Sequence, residues 1–193
     1  MQNEYCVLES AASNDYPMLS WDEYFVGLVR PKPVKPLGRP VKLRLGKPIP
    51  RNPIMADFHE LPEPVFSPRM KNALEPLGLH GVQFIPADVL VKPDDVRPYW
   101  IMHVHNWIAC IDRERSVVSL HEDGDVFGVQ KLVLDERVLE AISLEQRLAF
   151  CLADTPSTHV FHQSLVEQVL ALKPEGLRFI SVSQWSDSAA FQP

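Results

Sequence analysis

With 193 residues, 46% of them hydrophobic and 23% charged, the chain buries a core without disulfides or a structural metal, and one domain, or one domain with an appendage, is expected. A formal charge of -6 argues against a general nucleic-acid binder, whose phosphate contacts need clustered Lys and Arg with little opposing charge, and suits a basic protein partner better. Cys6, Cys110 and Cys151 are far apart and outside any CxxC spacing, so they read as reduced thiols rather than as a disulfide framework or a zinc knuckle.

The chain opens with MQNEYCVLES, which has an acid where a signal peptide needs basic residues, and no later run approaches the roughly 18 apolar residues of a membrane span. A cytoplasmic protein without membrane contact is expected. From Arg30 to Arg51 there are eight Lys or Arg residues and no acid, and seven prolines lie between Pro31 and Pro53. Each proline removes a backbone donor and fixes φ, which argues against both a helix and a central strand. The segment reads as an extended, solvated arm packed over the domain, with a polyproline II ligand or a basic nucleic-acid arm as alternatives. Residues 1–54 are therefore set apart as an N-terminal segment and 55–193 as a compact α+β unit.

In SPRMKNALEPLG, Ser67 stands as N-cap, Pro68 as first helical residue and Gly78 as stop, which predicts a helix over 68–77 with Pro76 in its last turn. VQFIPADVLV (82–91) and YWIMHVHNWIACI (99–111) are rich in aromatic and β-branched residues and predict two strands across the turn-like KPDDVRP. SVVSLH (116–121) and VFGVQKLVL (126–134) flank EDGD, whose Asp-Gly signals a hairpin. Ser143 and Gln146 match a capping box, and Leu144, Leu148, Cys151 and Leu152 recur at helical spacing, so 143–152 predicts a helix. Phe161, Leu165, Val169 and Leu172 form the stripe of a second helix, which Lys173, Pro174 and Gly176 stop before a closing strand in GLRFISVSQW. The fold class is α+β, with a mainly antiparallel sheet and a few packed helices.

Chemistry is sparse. On a strand, His103 and His105 share a face, which permits a shared metal, but a catalytic zinc needs a third ligand and an oriented base, and no carboxylate stands at a conventional short spacing. The competing reading is a half-buried strand whose histidines hydrogen-bond. HEDGDVFG lacks the register of a calcium loop, no G-x-S-x-G elbow occurs, and the glycines form neither a P-loop nor a dinucleotide fingerprint. No cofactor is called for.

The order of several short motifs, MADFHELPEPVFSPRMKNALEPLGLHGVQFIPADV, then YWIMHVHNWIACIDRERS, then GLRFISV, resembles the immunity-protein family eleven of bacterial polymorphic toxin systems over about residues 55–183. The pattern includes Asp57, the Ser67-initiated helix ending at Gly78, Pro86, Tyr99, Cys110, Asp112, Ser116 and Gly176 to Phe179. The resemblance implies a non-enzymatic protein that binds the C-terminal domain of a cognate antibacterial toxin, often an effector of type VI secretion, and protects the producer. An acidic inhibitor suits a nuclease toxin such as a DNase, whose polyphosphate-binding surface is basic, without itself touching nucleic acid. Candidate contact residues are the loop acids Asp94 and Asp95, the post-strand pair Asp112 and Glu114, and the hairpin-tip acids Glu122, Asp123 and Asp125, each weighed against an ordinary solvated charge. Asp112 has a second expected role, accepting backbone or Ser116 donors in a turn. The readings from other classes are a metal-dependent hydrolase using His103 and His105, and an adaptor presenting the residue 30–51 arm.

Overall fold

The structure, a computed structural model, describes residues 2–23, 28 and 30–191, without the side chains of Ala190 and Phe191. In chain order the strands and α-helices are Tyr5–Ser10 (β1), Leu19–Trp21 (β2), Val41–Leu45 (β3), Phe58–His59 (β4), Val65–Phe66 (β5), Pro68–Leu74 (α1), Val82–Lys92 (β6), Asp95–Val104 (β7), Trp107–Ile108 (β8), Val117–Leu120 (β9), Val126–Lys131 (β10), Glu136–Glu140 (α2), Ala149–Leu152 (β11), Thr155–His162 (β12), Gln163–Ala171 (α3) and Leu177–Ser181 (β13). They form a five-stranded sheet in the order β13-β1-β12-β11-β8, a six-stranded sheet in the order β2-β3-β6-β7-β5-β4, and a two-stranded ribbon of β9 and β10. Only β3–β6 and β8–β11 pair in parallel among the described residues, so the fold is α+β and mainly antiparallel, as the sequence predicts.

Packing follows from which faces each strand buries. In the five-stranded sheet, Cys6, Leu8, Cys151 and Phe161 enter a core shared with α1, α3 and the six-stranded sheet. Tyr5, Val7, Phe150 and Val160, one residue out of step with them, enter a second core roofed by α2 and the ribbon. A strand buried on both faces needs a continuous apolar run, and this explains the one large error of periodicity. The helix expected over 143–152 is a single 3-10 turn, Leu144–Arg147, followed by the fully buried strand Ala149–Leu152. Its apolar residues fill two opposite faces rather than one helical stripe. For the same reason Phe161 belongs to β12, and the second helix starts only at Gln163, burying Leu165, Val166 and Val169.

The proline-rich segment is also corrected. Val41, Leu43 and Leu45 alternate with exposed Lys42 and Arg44 in VKLRL, and this strand lies between β2 and β6, inside the sheet. Pro40 and Pro48 flank it, so neither removes a ladder donor. The preceding stretch does pack over the domain. There Val34 and Gln83 exchange two hydrogen bonds: the Val34 N–H donates to Oε1 at 2.9 Å, and Nε2 donates to the Val34 carbonyl at 2.8 Å. The boundary expected after residue 54 falls between β3 and β4 of one sheet.

The helix expected over 68–77 is present, with its last turn tightened to a 3-10 helix, Glu75–Leu77, and stopped by Gly78 at φ 58°. Asp57 anchors its start: the carboxylate accepts from Ser67 Oγ at 2.7 Å, from the Arg69 guanidinium, and from the Glu175 N–H at 3.1 Å. Burial opposes ionisation of Asp57, but those donors outweigh it and hold the carboxyl below the usual range. Gly176 lies beside this node at φ 88°, where a Cβ would stand 2.5 Å from the Phe58 carbonyl oxygen. These contacts give the resemblance motifs around Asp57, Ser67 and Gly176 a structural role.

The strand expected over 99–111 divides. β7 ends at Val104, and after Asn106 the chain enters the other sheet as β8, so one sequence run joins the two sheets. Asn106 secures the crossing, its Nδ2 donating to the Gln146 carbonyl at 2.7 Å and the Ala149 carbonyl at 3.1 Å.

Candidate partner-binding ribbon

The ribbon forms as the sequence predicts. The His121 N–H donates to the Asp125 carbonyl at 2.8 Å and the Gly124 N–H to the His121 carbonyl at 3.0 Å, with Gly124 in the positive-φ position an L side chain avoids. Val118, Val126 and Val129 turn inward to the core under the ribbon. The Asp187 carboxylate accepts from the Val129 N–H and ties the ribbon to the body. Facing outward are Phe127 at 59% exposure, Val117 at 53% and Leu120 at 48%. The Phe127 ring rests on His121, with centroids 4.5 Å apart. Exposed large apolar groups framed by acids are the make-up of a binding patch, in which apolar anchors supply affinity and charges steer.

The seven candidate acids separate by their partners. Asp95 pairs with Arg97 at 2.8 Å and Asp112 with Arg115 at 2.6 Å, and these arginines hold both carboxyls below the usual range. Asp112 also accepts from the Glu114 N–H at 3.1 Å and the Arg115 N–H at 3.0 Å, which makes it the turn-former its position suggested. Asp94, Glu114, Glu122, Asp123 and Asp125 have no cationic partner among the described residues.

Location divides them further. Arg113 Nη1 donates to the Gly124 carbonyl at 3.4 Å, which joins the Asp112 and Glu114 turn to the hairpin tip bearing Glu122, Asp123 and Asp125. Asp94 and Asp95 stand on a different hairpin, between β6 and β7 of the six-stranded sheet. Sequence reasoning passed over Phe127, Leu120 and Val117, because a short alternating strand does not reveal which of its apolar residues find a cover.

The histidine pair does not assemble a metal centre. His103 is 3% exposed on the inner face of β7, and its Nε2 lies 2.8 Å from the Lys32 carbonyl. His105 lies one residue beyond the end of β7, its ring centroid 5.6 Å from that of His103. Among the described residues no three His, Cys, Asp or Glu side chains converge as a metal would require. All three cysteines are buried free thiols, and burial pushes Cys110 up to about 12 and Cys151 higher still, so neither is a poised nucleophile. No helix among the described residues is long and apolar enough to cross a membrane.

The fold is that of an α+β protein with two sheets and a two-stranded ribbon. Its sequence matches the Immunity protein family (Imm11) over residues 34–184, and the chain belongs to that family. The match starts upstream of the motifs that carried the resemblance and takes in β3, so much of the proline-rich segment is part of the family's domain. No curated protein matches the sequence.

Proposed function

We propose that this immunity protein neutralises its cognate toxin by docking the β9–β10 ribbon against the toxin's active or substrate-binding surface. The observation that carries this reading is the coincidence, on one ribbon, of exposed Phe127 and Leu120 with three acids that have no cationic partner among the described residues, Glu122, Asp123 and Asp125. Glu114 adds a fourth charge beside them, and Asp112 shapes the turn that carries it. Asp94 adds a weak steering charge at a second edge, where Arg97 offsets the charge of Asp95. A surface of this sign fits a basic toxin domain, as the polyphosphate-binding face of a nuclease is. The family's setting suggests a type VI secretion effector met in the cytoplasm of the producing cell. Binding is by occlusion, with a total buried area of about 1,200–2,000 Å².

The test is to purify the tagged chain with its partner from the bacterium that encodes it, identify the partner, and assay that partner's activity with and without the chain. A stoichiometric partner whose toxic domain loses activity, and whose footprint covers Phe127, supports the proposal. An active partner at stoichiometric chain, or a footprint that leaves the ribbon free, refutes it.

A further inference from the structure

A cleft of about 260 Å³ opens where β1, the loop before β5, the end of β7 and β12 meet. At roughly 30 Å³ per water it has room for about eight. Its titratable lining is Glu9, Glu60, Glu63, His103, His159 and Asp187, with the Cys151 thiol, and no Lys or Arg lines it among the described residues. Two cations act on this lining from outside it: Arg178 on Glu9, with its Nη2 donating to the Ala189 carbonyl at 2.6 Å, and Arg30 on His103, with its Nη2 donating to the Pro33 carbonyl at 3.5 Å.

Among the ionisable groups of this lining, acceptors outnumber donors. His159, 7% exposed, has Nδ1 3.0 Å from the Ser157 carbonyl, and His103 has Nε2 2.8 Å from the Lys32 carbonyl. A carbonyl only accepts, so each contacting nitrogen carries the proton, and in the neutral ring the other nitrogen is a bare lone pair. Burial keeps both rings neutral, with His159 pushed down to about 4. Those second nitrogens, His159 Nε2 and His103 Nδ1, have no partner among the described residues. Glu9 is spent on the Trp185 indole N–H at 2.6 Å, Glu60 on the Ser10 N–H at 2.9 Å and Asp187 on the Val129 N–H. Glu63 has no polar partner among the described residues, and burial alone raises its carboxyl to about 7. Above pH 7 the cleft therefore offers a carboxylate and two imidazole lone pairs as acceptors, beside the Ser157 and Thr158 hydroxyls, with Trp107 and Trp185 as apolar walls. They do not converge on a metal position, so the complementary ligand is an organic cation with several N–H donors.

We propose that this cleft is a receptor for an alkylguanidinium group, held by Glu63 with His103 and His159 accepting its remaining N–H bonds. The site is separate from the ribbon and stands whether or not the ribbon docks a toxin. Because the cation needs ionised Glu63, binding strengthens as pH rises through about 7, while the two imidazoles stay neutral throughout that range.

The test titrates the full chain with n-butylguanidinium, following Trp107 and Trp185 fluorescence and heat, with isosteric n-butylurea as the neutral control. A saturable signal with a Kd on the order of 1 mM or tighter is expected, absent with the urea, and weakened about tenfold in E63Q. E63Q removes a buried charge without changing shape, so the fold persists, and circular dichroism verifies it. H159F provides a second variant, expected to weaken the guanidinium and leave the urea unaffected. No saturable signal at low salt and pH 8, equal response to the urea, or full binding by E63Q overturns the proposal. The ligand's source is read from N-acetyl-arginine N-methylamide: acceptance assigns the cleft to a protein-borne arginine, and exclusion with n-butylguanidinium still bound assigns it to a free small molecule.

Discussion

The ribbon tip and the cleft carry the same functional groups, carboxylates beside histidine, under opposite dielectric conditions. At the tip, His121, Glu122 and Asp123 stand in solvent, where their charge acts over about a Debye length and salt screens it. In the cleft, Glu63 and His159 are desolvated, so their protonation itself is the energetic event, and it is read as pH dependence rather than salt dependence. The two regions touch through Asp187, which lines the cleft and accepts from Val129 of the ribbon. The difference teaches that counting acids locates neither site, because what each acid does depends on its partners and its water.

The largest effect separating the two regions is the stability profile against pH. His59 and His159 both sit near 4 when folded, below their ordinary 6.5, because burial disfavours the charged ring. The unfolded chain therefore binds more protons between pH 4 and 6.5, and stability falls as pH drops through that window, by up to about 3 kcal/mol for each histidine. Glu63 has the opposite sign. Its folded carboxyl titrates near 7 against 4.5, so its contribution is present below 4.5 and is lost as pH rises through 7. E63Q is expected to raise stability at pH 8 by roughly 2 kcal/mol and to steepen the acid limb, measured by urea unfolding at a series of pH values. Charge changes at Glu122 and Asp123 leave that profile unmoved, and a profile that follows them instead would erase the distinction.

Next in size is the apolar centre of the ribbon. Phe127→Ala is expected to cost about 2 kcal/mol of toxin affinity, mainly through a faster off-rate, with folding stability within about 0.5 kcal/mol. Calorimetry of binding beside urea unfolding of the free chain checks both halves. Below it comes steering: Asp123→Arg with Asp125→Arg slows association about tenfold at low salt, and the deficit closes as ionic strength rises. The same reversal at Asp94, on the other hairpin, changes the rate by less than about twofold. Stopped-flow rates across a salt series decide it, and equal sensitivity at both hairpins would mean that the whole acidic face, not the ribbon, guides the partner.

How much of this was legible follows from what each feature depends on. Signals carried by neighbours in sequence were readable. Ser67 and Pro68 started α1, Gly78 stopped the 3-10 turn that continues it, and Asp-Gly placed the ribbon's turn. Features set by distant partners were not. Ala149 to Leu152 carry a helical spacing, yet the cores on both sides of the sheet claim them as a strand. Val41 to Leu45 are surrounded by prolines, yet the flanking positions of Pro40 and Pro48 leave the ladder intact. The tip acids were visible as a motif, whereas the arginines that neutralise Asp95 and Asp112 were readable only as nearby residues. The cleft was invisible, since Glu63, His103 and His159 come from three separate elements and acquire their meaning only through backbone carbonyls at Lys32 and Ser157.

The smallest predicted effect tests whether a paired acid near the ribbon is architecture or interface. Asp112 accepts two backbone N–H bonds and an arginine, while Glu114, two residues on, points into solvent without a partner among the described residues. Asp112→Ala should lower the urea midpoint and leave Glu114 and its turn less well fixed, so that toxin association weakens only in proportion to the disordered turn. Glu114→Ala should leave the midpoint unchanged and take a small, salt-sensitive share of the association rate. Asp112→Asn separates the roles further, because the amide oxygen retains the turn's backbone acceptor while the ion pair to Arg115 is lost. A midpoint near wild type for Asp112→Asn, with Asp112→Ala clearly lower, assigns the residue to the turn; a binding loss in Asp112→Asn without any midpoint change assigns its charge to the partner instead.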